Sequence, residues 1–279
     1  MIAIVLILLF WFCTWGLNIY LSSLPPSQAI RVAIPTVFGL SFLVIWECTV
    51  RIFNVPGVIL PPPSDIGVTF VNSLDILWID LVQTVFKGAL SGYLIGCGSA
   101  MIMAIAVNRY PFLQRGILPI GNFVAALPIV GTAPIFVMWF GFGWQSKAAV
   151  VVAMVFFPML VNMVQGLAST DVMQRDILKT YNATYWQEIW KLKLPAAMPF
   201  AFNGLKICTT LSLIGAIVAE FFGSPILGMG FRISTEVGRL ALDVVWAEIV
   251  VAAIAGTLFF WIVSLGEQKV TFWHPTHRK

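Results

Sequence analysis

The chain has 279 residues, of which 59% are hydrophobic, 14% aromatic and only 10% charged, where soluble domains carry roughly a quarter charged. Together with a mean hydropathy of +0.94, this excludes a soluble globular domain and predicts an all-α polytopic membrane protein. The net charge of +4 is small and the basic residues are scattered, so no nucleic-acid surface is expected.

A membrane-crossing helix needs about 20 apolar residues. Seven segments approach that length: 2–20, 32–53, 81–107, 117–140, 148–166, 204–222 and 246–266. They are predicted as helices because lipid cannot hydrogen-bond bare backbone groups. The first resembles a signal-peptide core, but no basic residue precedes its apolar run and "LNIYLSSLPP" is a poor cleavage site. It is expected as a retained extra helix, which sets residues 1–31 apart from 32–279. In the connection 54–80, Pro61, Pro62 and Pro63 predict a stiff extended turn, and Ser64 is the expected cap of a short surface helix. Lys87, Gly88, Gly92 and Gly96 share one face of the third span, a spacing of small residues that lets two helices approach closely. Gly141, Phe142 and Gly143 read as a tight turn. Cys13, Cys48, Cys97 and Cys208 each sit in an apolar run without paired spacing and read as packing residues.

Lys and Arg placement sets the expected orientation. If the even-numbered spans start in the cytoplasm, that side receives eleven of the sixteen basic residues, leaving Arg51, Lys87, Lys147, Arg232 and Arg239 outside. The N-terminus is then outside and the C-terminus inside. The outward Arg51, Lys87, Arg232 and Arg239 would suit an anion or an acidic partner rim.

The least apolar stretch, "DILKTYNATYWQEIWKLKLPAA", falls in the cytoplasmic connection 167–203. Asp171 to Tyr181 predicts one short helix, with Asp171 and Asp176 early and Lys179 late, matching the helix dipole. Asn182 tolerates the left-handed conformation that ends helices. Thr184 opens a second helix and Gln187, three residues on, completes a Thr-x-x-Gln capping box. Tyr185, Trp186, Ile189, Trp190 and Leu192 share its apolar face, while Gln187, Glu188 and Lys191 face away. Leu194-Pro195 is expected to end it, since proline disfavours helix in the preceding residue. Such a helix either lies under the headgroups with its aromatics as anchors or presents a surface to a partner.

The segment resembles the EAA loop of ABC importer permeases, whose pattern is E-A-A-x3-G-x9-I-x-L-P. Aligned on Leu194-Pro195, the hydrophobic position falls on Leu192, the glycine on Asn182, the glutamate on Asp176 and the alanines on Ile177 and Leu178. The spacing is kept while Glu becomes Asp, Gly becomes Asn and both alanines are lost. "LPPPSDI", "FVMWFGFGWQSK", "LPAAMPFAFNGLKI" and "IGAIVAEFFGSPILGMG" resemble, in the same order, permeases of the nitrate/sulfonate/taurine type, a branch that includes importers of pyrimidine-type vitamin precursors. The resemblance covers nearly all of 32–279 and implies a type I importer permease of six core helices in a bacterial inner membrane. It implies a second permease subunit, a periplasmic binding protein and a cytoplasmic ATPase dimer that holds the ATP and magnesium. The chain itself carries no G-x-x-x-x-G-K-[ST] phosphate loop, and no bound cofactor or enzymatic activity is expected of it. Asp176, Asn182, Ala183, Thr184, Tyr185, Trp186, Glu188, Ile189, Trp190, Leu194 and Pro195 are the expected coupling residues, with Tyr185, Trp186, Ile189 and Trp190 as a buried ridge and Glu188 and Lys191 as its polar rim.

By the same resemblance spans four and six border the pathway, making Asn122, Thr132, Thr209, Thr210, Ser212 and Glu220 candidates. Glu220, in "IVAEFF", is either a pathway group or a structural acceptor for backbone amides of the following "GSPILGMG" turn. Glu47 and Glu248, near span ends, read as structural or interfacial. His274 and His277 in the tail are expected to be solvated rather than metal-binding. A self-sufficient ion-coupled carrier would normally need titratable groups or broken helices at mid-membrane depth, and the chain offers few charges there. A membrane scaffold that merely recruits a partner is the remaining alternative.

Overall fold

The computed structural model describes residues 2–273 except 26, 126 and 224–225; the side chain of Asn122 and the residues His274 and His277 lie outside the described set. Among the described residues the chain forms eleven helices and no strands. In order these are α1 (Ile2–Ser23), α2 (Gln28–Ile52), α3 (Pro63–Asn72), α4 (Leu74–Arg109), α5 (Pro111–Ala125) and α6 (Ile129–Phe140). Then follow α7 (Trp144–Ala168), α8 (Val172–Thr180), α9 (Tyr185–Phe222), α10 (Met229–Gly238) and α11 (Leu242–Val270). Six of them, α1, α2, α4, α7, α9 and α11, are long and apolar enough to cross a membrane. The all-α polytopic expectation therefore holds.

The predicted span 117–140 is corrected. Instead of one helix it is two, α5 and α6, interrupted at Leu127 and Pro128. Pro128 has an extended backbone and stands at the N-cap of α6; proline holds the residue before it out of the helical region. At 1.5 Å per residue α6 alone is about 18 Å long, short of the hydrocarbon thickness. The Gly141–Gly143 turn is found as expected. Gly141 ends α6 at φ +79°, a conformation glycine adopts without penalty, and Gly143 is the N-cap of α7.

The chain divides into two compact units. The first comprises residues up to 74 together with 235–247. In it α1 and α2 pair, and Ser27 caps α2 by accepting from the Ile30 N–H at 3.3 Å. Most of the large apolar side chains of both helices are exposed, the surface a lipid-facing pair requires. Ser64 does not cap α3, whose N-cap is Pro62. Its hydroxyl and N–H instead donate to Glu47 at 2.8 and 3.0 Å, and Glu47 also pairs with Arg51 at 2.5 Å. Glu47 is thus structural. Thr69 donates to Asp243 at 2.8 Å, and Trp46 meets Trp246 edge-on at 4.8 Å.

The second unit, residues 75–234 and 248–279, is built on α4, α7 and α9, with α7 packed against both of the others. Its core runs through Ala100, Ala104, Val155, Met159, Met163, Leu167, Ala197 and Ala201, all buried. The glycine face of α4 packs on α7 within the same chain. A Cβ on Gly92 would sit 2.5 Å from Val151 Cβ and 2.8 Å from the Ala148 carbonyl oxygen, whereas one on Gly98 meets nothing within 4 Å. Gly92→Ala is therefore expected to destabilise the detergent-solubilised protein by about 1–3 kcal/mol. Gly98→Ala, which adds helix propensity in open space, is expected to be neutral or to stabilise by about 0.5–1 kcal/mol. Thermal unfolding of the two variants measures the difference.

Candidate functional site

The charged segment folds as a helix–turn–helix elbow. Asp171 caps α8, accepting from the Met173 N–H at 3.3 Å, while Gln174 reaches back to the Asp171 N–H at 3.3 Å. The helix ends as its sequence requires, with Asn182 at φ +53°. The Asn182 N–H donates to the Lys179 carbonyl at 2.9 Å and the Ala183 N–H to the Leu178 carbonyl at 3.0 Å, the paired bonds of a Schellman turn. Thr184 caps α9 with the predicted box: the Gln187 N–H donates to its hydroxyl at 3.4 Å, and its own N–H donates to the Gln187 side chain at 2.8 Å. Two fully capped ends therefore meet across Tyr181–Thr184.

Leu194-Pro195 does not end the second helix, contrary to expectation. The helix runs without a break from Tyr185 to Phe222 through a wide π turn at Ile189–Lys193, where the Leu194 N–H bonds five residues back to Ile189. A π turn widens the backbone and shifts its carbonyls. That relieves the ring clash with the residue four positions earlier and puts the missing proline N–H where the bonding register changes.

The expected four-residue ridge is split between two faces. Ile189 is 0% exposed within the chain's own core, and Tyr185 packs beside that core. The Tyr185 hydroxyl donates to the Ile105 carbonyl at 3.4 Å, and the Arg109 guanidinium lies 4.4 Å over its ring. Glu188, expected on the rim, pairs inward with Lys193 at 3.0 Å, and Lys193 donates to the Asn108 side chain at 3.2 Å. Trp186 and Trp190, one turn apart, remain 60% and 67% exposed. Met173 and Ile177 on α8 and Tyr181 at its C-cap continue an exposed stripe at four-residue spacing, beside the exposed Asp176–Lys179 pair at 3.0 Å. Pro195 is exposed and Leu194 buried.

The polar candidates separate by burial. Thr132 borders a cavity of about 370 Å³ lined also by Leu127, Phe136, Met154, Phe157 and Leu211. Thr210 is exposed. Thr209 and Ser212 are sealed inside the packing of α9, their hydroxyls donating to the Lys206 and Thr209 carbonyls at 2.7 and 2.8 Å, so neither faces open space. Glu220 is 1% exposed. Its carboxylate accepts from the Thr84 hydroxyl at 2.8 Å and from the Gly230 N–H at 2.9 Å, the last amide of the "GSPILGMG" stretch. Thr84 also accepts from the Met229 N–H at 2.8 Å. Glu248 is buried as well, with its carboxyl group beside that of Asp80. The expected outward basic surplus is largely spent inside the chain. Arg232 pairs with Asp80 at 2.9 Å, Arg51 with Glu47, and Arg239 with Glu236 at 3.0 Å, while Lys147 is buried and donates to the Phe142 and Gly223 carbonyls.

Residues 92–272 match the family described as the binding-protein-dependent transport system inner membrane component. The chain belongs to that family. The permease is 30% identical over 243 residues to a formylaminopyrimidine transport permease of Halalkalibacterium halodurans, covering 86% of this chain and 95% of the relative. It is 27% identical to a putative aliphatic sulfonates transport permease of Bacillus subtilis, covering 84% and 85% of the two chains. It is also 26% identical to a taurine transport system permease of Escherichia coli, covering 90% and 92%. The permease therefore has the type I importer fold and is a transmembrane subunit of an ATP-binding-cassette importer for a small solute, a transport subunit in a multi-pass membrane setting.

The exposed stripe of Met173, Ile177 and the C-cap residue Tyr181 is not among the predicted coupling residues, although its four-residue spacing is legible in the sequence. Sequence reasoning also missed Thr84 and Asp80, whose partners lie 136 and more residues away. In the permease, Glu220→Ala would leave the Thr84 hydroxyl and Gly230 N–H without their shared acceptor. Each orphaned group costs about 1–3 kcal/mol, so thermal unfolding of the detergent-solubilised variant should show a loss in that range or above it. Glu220→Gln, which keeps an acceptor, should lose less than half as much.

Proposed function

We propose that the permease admits a small polar solute to the cytoplasm and that its elbow is the seat of a separate ATPase. The observation that carries this reading is the exposed pair Trp186 and Trp190 on an elbow whose opposite face is anchored on its own chain. Large exposed aromatics in the least apolar segment of the molecule are the composition of an interface core. Asp176 and Lys179 supply a polar edge, and Asn182, Ala183 and Thr184 shape the turn that presents the ridge. The inward-facing Tyr185, Glu188 and Ile189 hold the elbow rather than touch the partner. Magnesium and ATP would be bound by that ATPase, since no phosphate loop occurs in this sequence.

Charge placement supports an outside N-terminus and a cytoplasmic elbow and C-terminus in a bacterial inner membrane. Six long helices alone would return both ends to one face, so this orientation requires α5 and α6 to cross together as one broken element. A second permease subunit and a solute-binding protein complete the importer. The relatives named for formylaminopyrimidine, sulfonates and taurine support a solute of that size and polarity, and Thr132 and Thr210 are the pathway candidates that are not sealed in helix packing. Trp186→Asp tests the reading. Loss of a buried tryptophan anchor is worth about 2 kcal/mol or more, so ATPase retained on the affinity-purified permease should fall about 30-fold, while Trp186→Phe keeps most of it. Equal ATPase recovery with Trp186→Asp would refute it.

A further inference from the structure

The elbow is covalently continuous with α7, through residues 169–171, and with α9. It is also fastened to α4, with which it shares no nearby chain connection. Tyr185 and Arg109 stack at 4.4 Å, the Tyr185 hydroxyl bonds to Ile105, and Lys193 bonds to Asn108. Ile189 is buried in one cluster with Ala100, Ala104 and Val107 of α4. All of these α4 residues lie in its last three turns.

Towards its other end, α4 holds the segment that follows α9. The Gly228 N–H donates to Asp80 at 2.6 Å, Arg232 pairs with Asp80 at 2.9 Å, and the Met229 N–H donates to Thr84 at 2.8 Å. That segment includes Ile226 at φ +62° and Gly228 at φ +114°. A β-branched residue in the left-handed region is strained and persists only where its surroundings impose it. Directly after Ile226 and Leu227, α4 and Glu220 hold the backbone N–H groups of Gly228, Met229 and Gly230. From Thr84 to Ile105 α4 spans about 31 Å at 1.5 Å per residue. Between these ends its glycine face is packed on α7 too tightly to admit a methyl group at Gly92, and close-packed interiors transmit displacement instead of absorbing it. The π turns at Val82–Ala89, which include Thr84, are the one irregular stretch of the rod among its described residues.

We propose that Tyr185 and Arg109 are positioning residues that fasten the elbow to α4, and that α4 carries the elbow's movement to the strained 226–232 segment through Thr84 and Asp80. This rests on the reading of the elbow as an ATPase seat. It adds a third output helix to the two that the chain connects directly. It also gives the buried Asp80–Thr84–Glu220 network a role: the network is the far grip of the rod.

The test uses the permease assembled with its ATPase in lipid nanodiscs. Cys13 and Cys48 are replaced by alanine and a spin label is carried on Ile226→Cys, a side chain that is 75% exposed. Adding ATP with orthovanadate is expected to change label mobility in the parent. In Tyr185→Ala/Arg109→Gln the change should shrink about fivefold or more in complexes that still carry the ATPase. Tyr185→Phe, which keeps the ring beneath Arg109, should restore most of the response. Should the double variant fail to assemble, Thr84→Val at the far grip decides: ATPase retained with the label response lost supports the rod. A full response in either variant with ATPase bound, or no response in the parent, overturns it. ATPase recovery with Trp186→Asp, measured alongside, indicts the elbow reading itself rather than the rod.

Discussion

A turn of backbone at Asn182 fixes what the elbow can do. The left-handed residue and its two bonds to Lys179 and Leu178 close one helix, and Thr184 opens the next two residues later, so neither helix end is left with loose donors to absorb movement by fraying. The second helix then runs unbroken into the membrane as α9. Its inner face is held to α4 by a cation–π stack, a side-chain hydrogen bond and a bond to a backbone carbonyl. A surface built this way moves as a body or not at all. That rigidity is what the proposed ATPase seat requires of the face that carries the exposed tryptophans.

Much of this was readable from the residues. Span lengths follow from the thickness of hydrocarbon, the caps from hydroxyl and amide side chains at fixed offsets, and the left-handed turn from asparagine's tolerance of it. The glycine face of α4 announced a close neighbour before the neighbour was known. What could not be read is which way an amphipathic helix turns its two kinds of apolar residue. Periodicity grouped Tyr185, Trp186, Ile189 and Trp190 as one face; α4, far away in sequence, claims Tyr185 and Ile189 and leaves the tryptophans out. Glu188 follows Lys193 inward for the same reason, because a π turn brings residues five apart onto one side.

Proline misled in two opposite ways. At Pro195 a local rule predicts a helix end, yet a change of hydrogen-bond register just before it lets the ring fit and the helix continue. At Pro128 the apolar run continues on both sides and reads as one span, yet the helix breaks there, as the same local rule requires. The buried acids were similarly ambiguous. A carboxylate at membrane depth is costly and signals function by default, but Glu220 has its donors supplied by Thr84 and Gly230, contacts no sequence window contains. Family membership supplies the transport role; the geometry supplies the division of labour between an anchored and a free face.

That division is tested most directly by placing a photo-crosslinking amino acid at Trp190 and, separately, at Ile189 in the assembled transporter. The account predicts that position 190 gives a covalent adduct with the ATPase, while position 189 crosslinks within the permease to α4. An adduct with lipid alone at 190, or an ATPase adduct at 189, would contradict it.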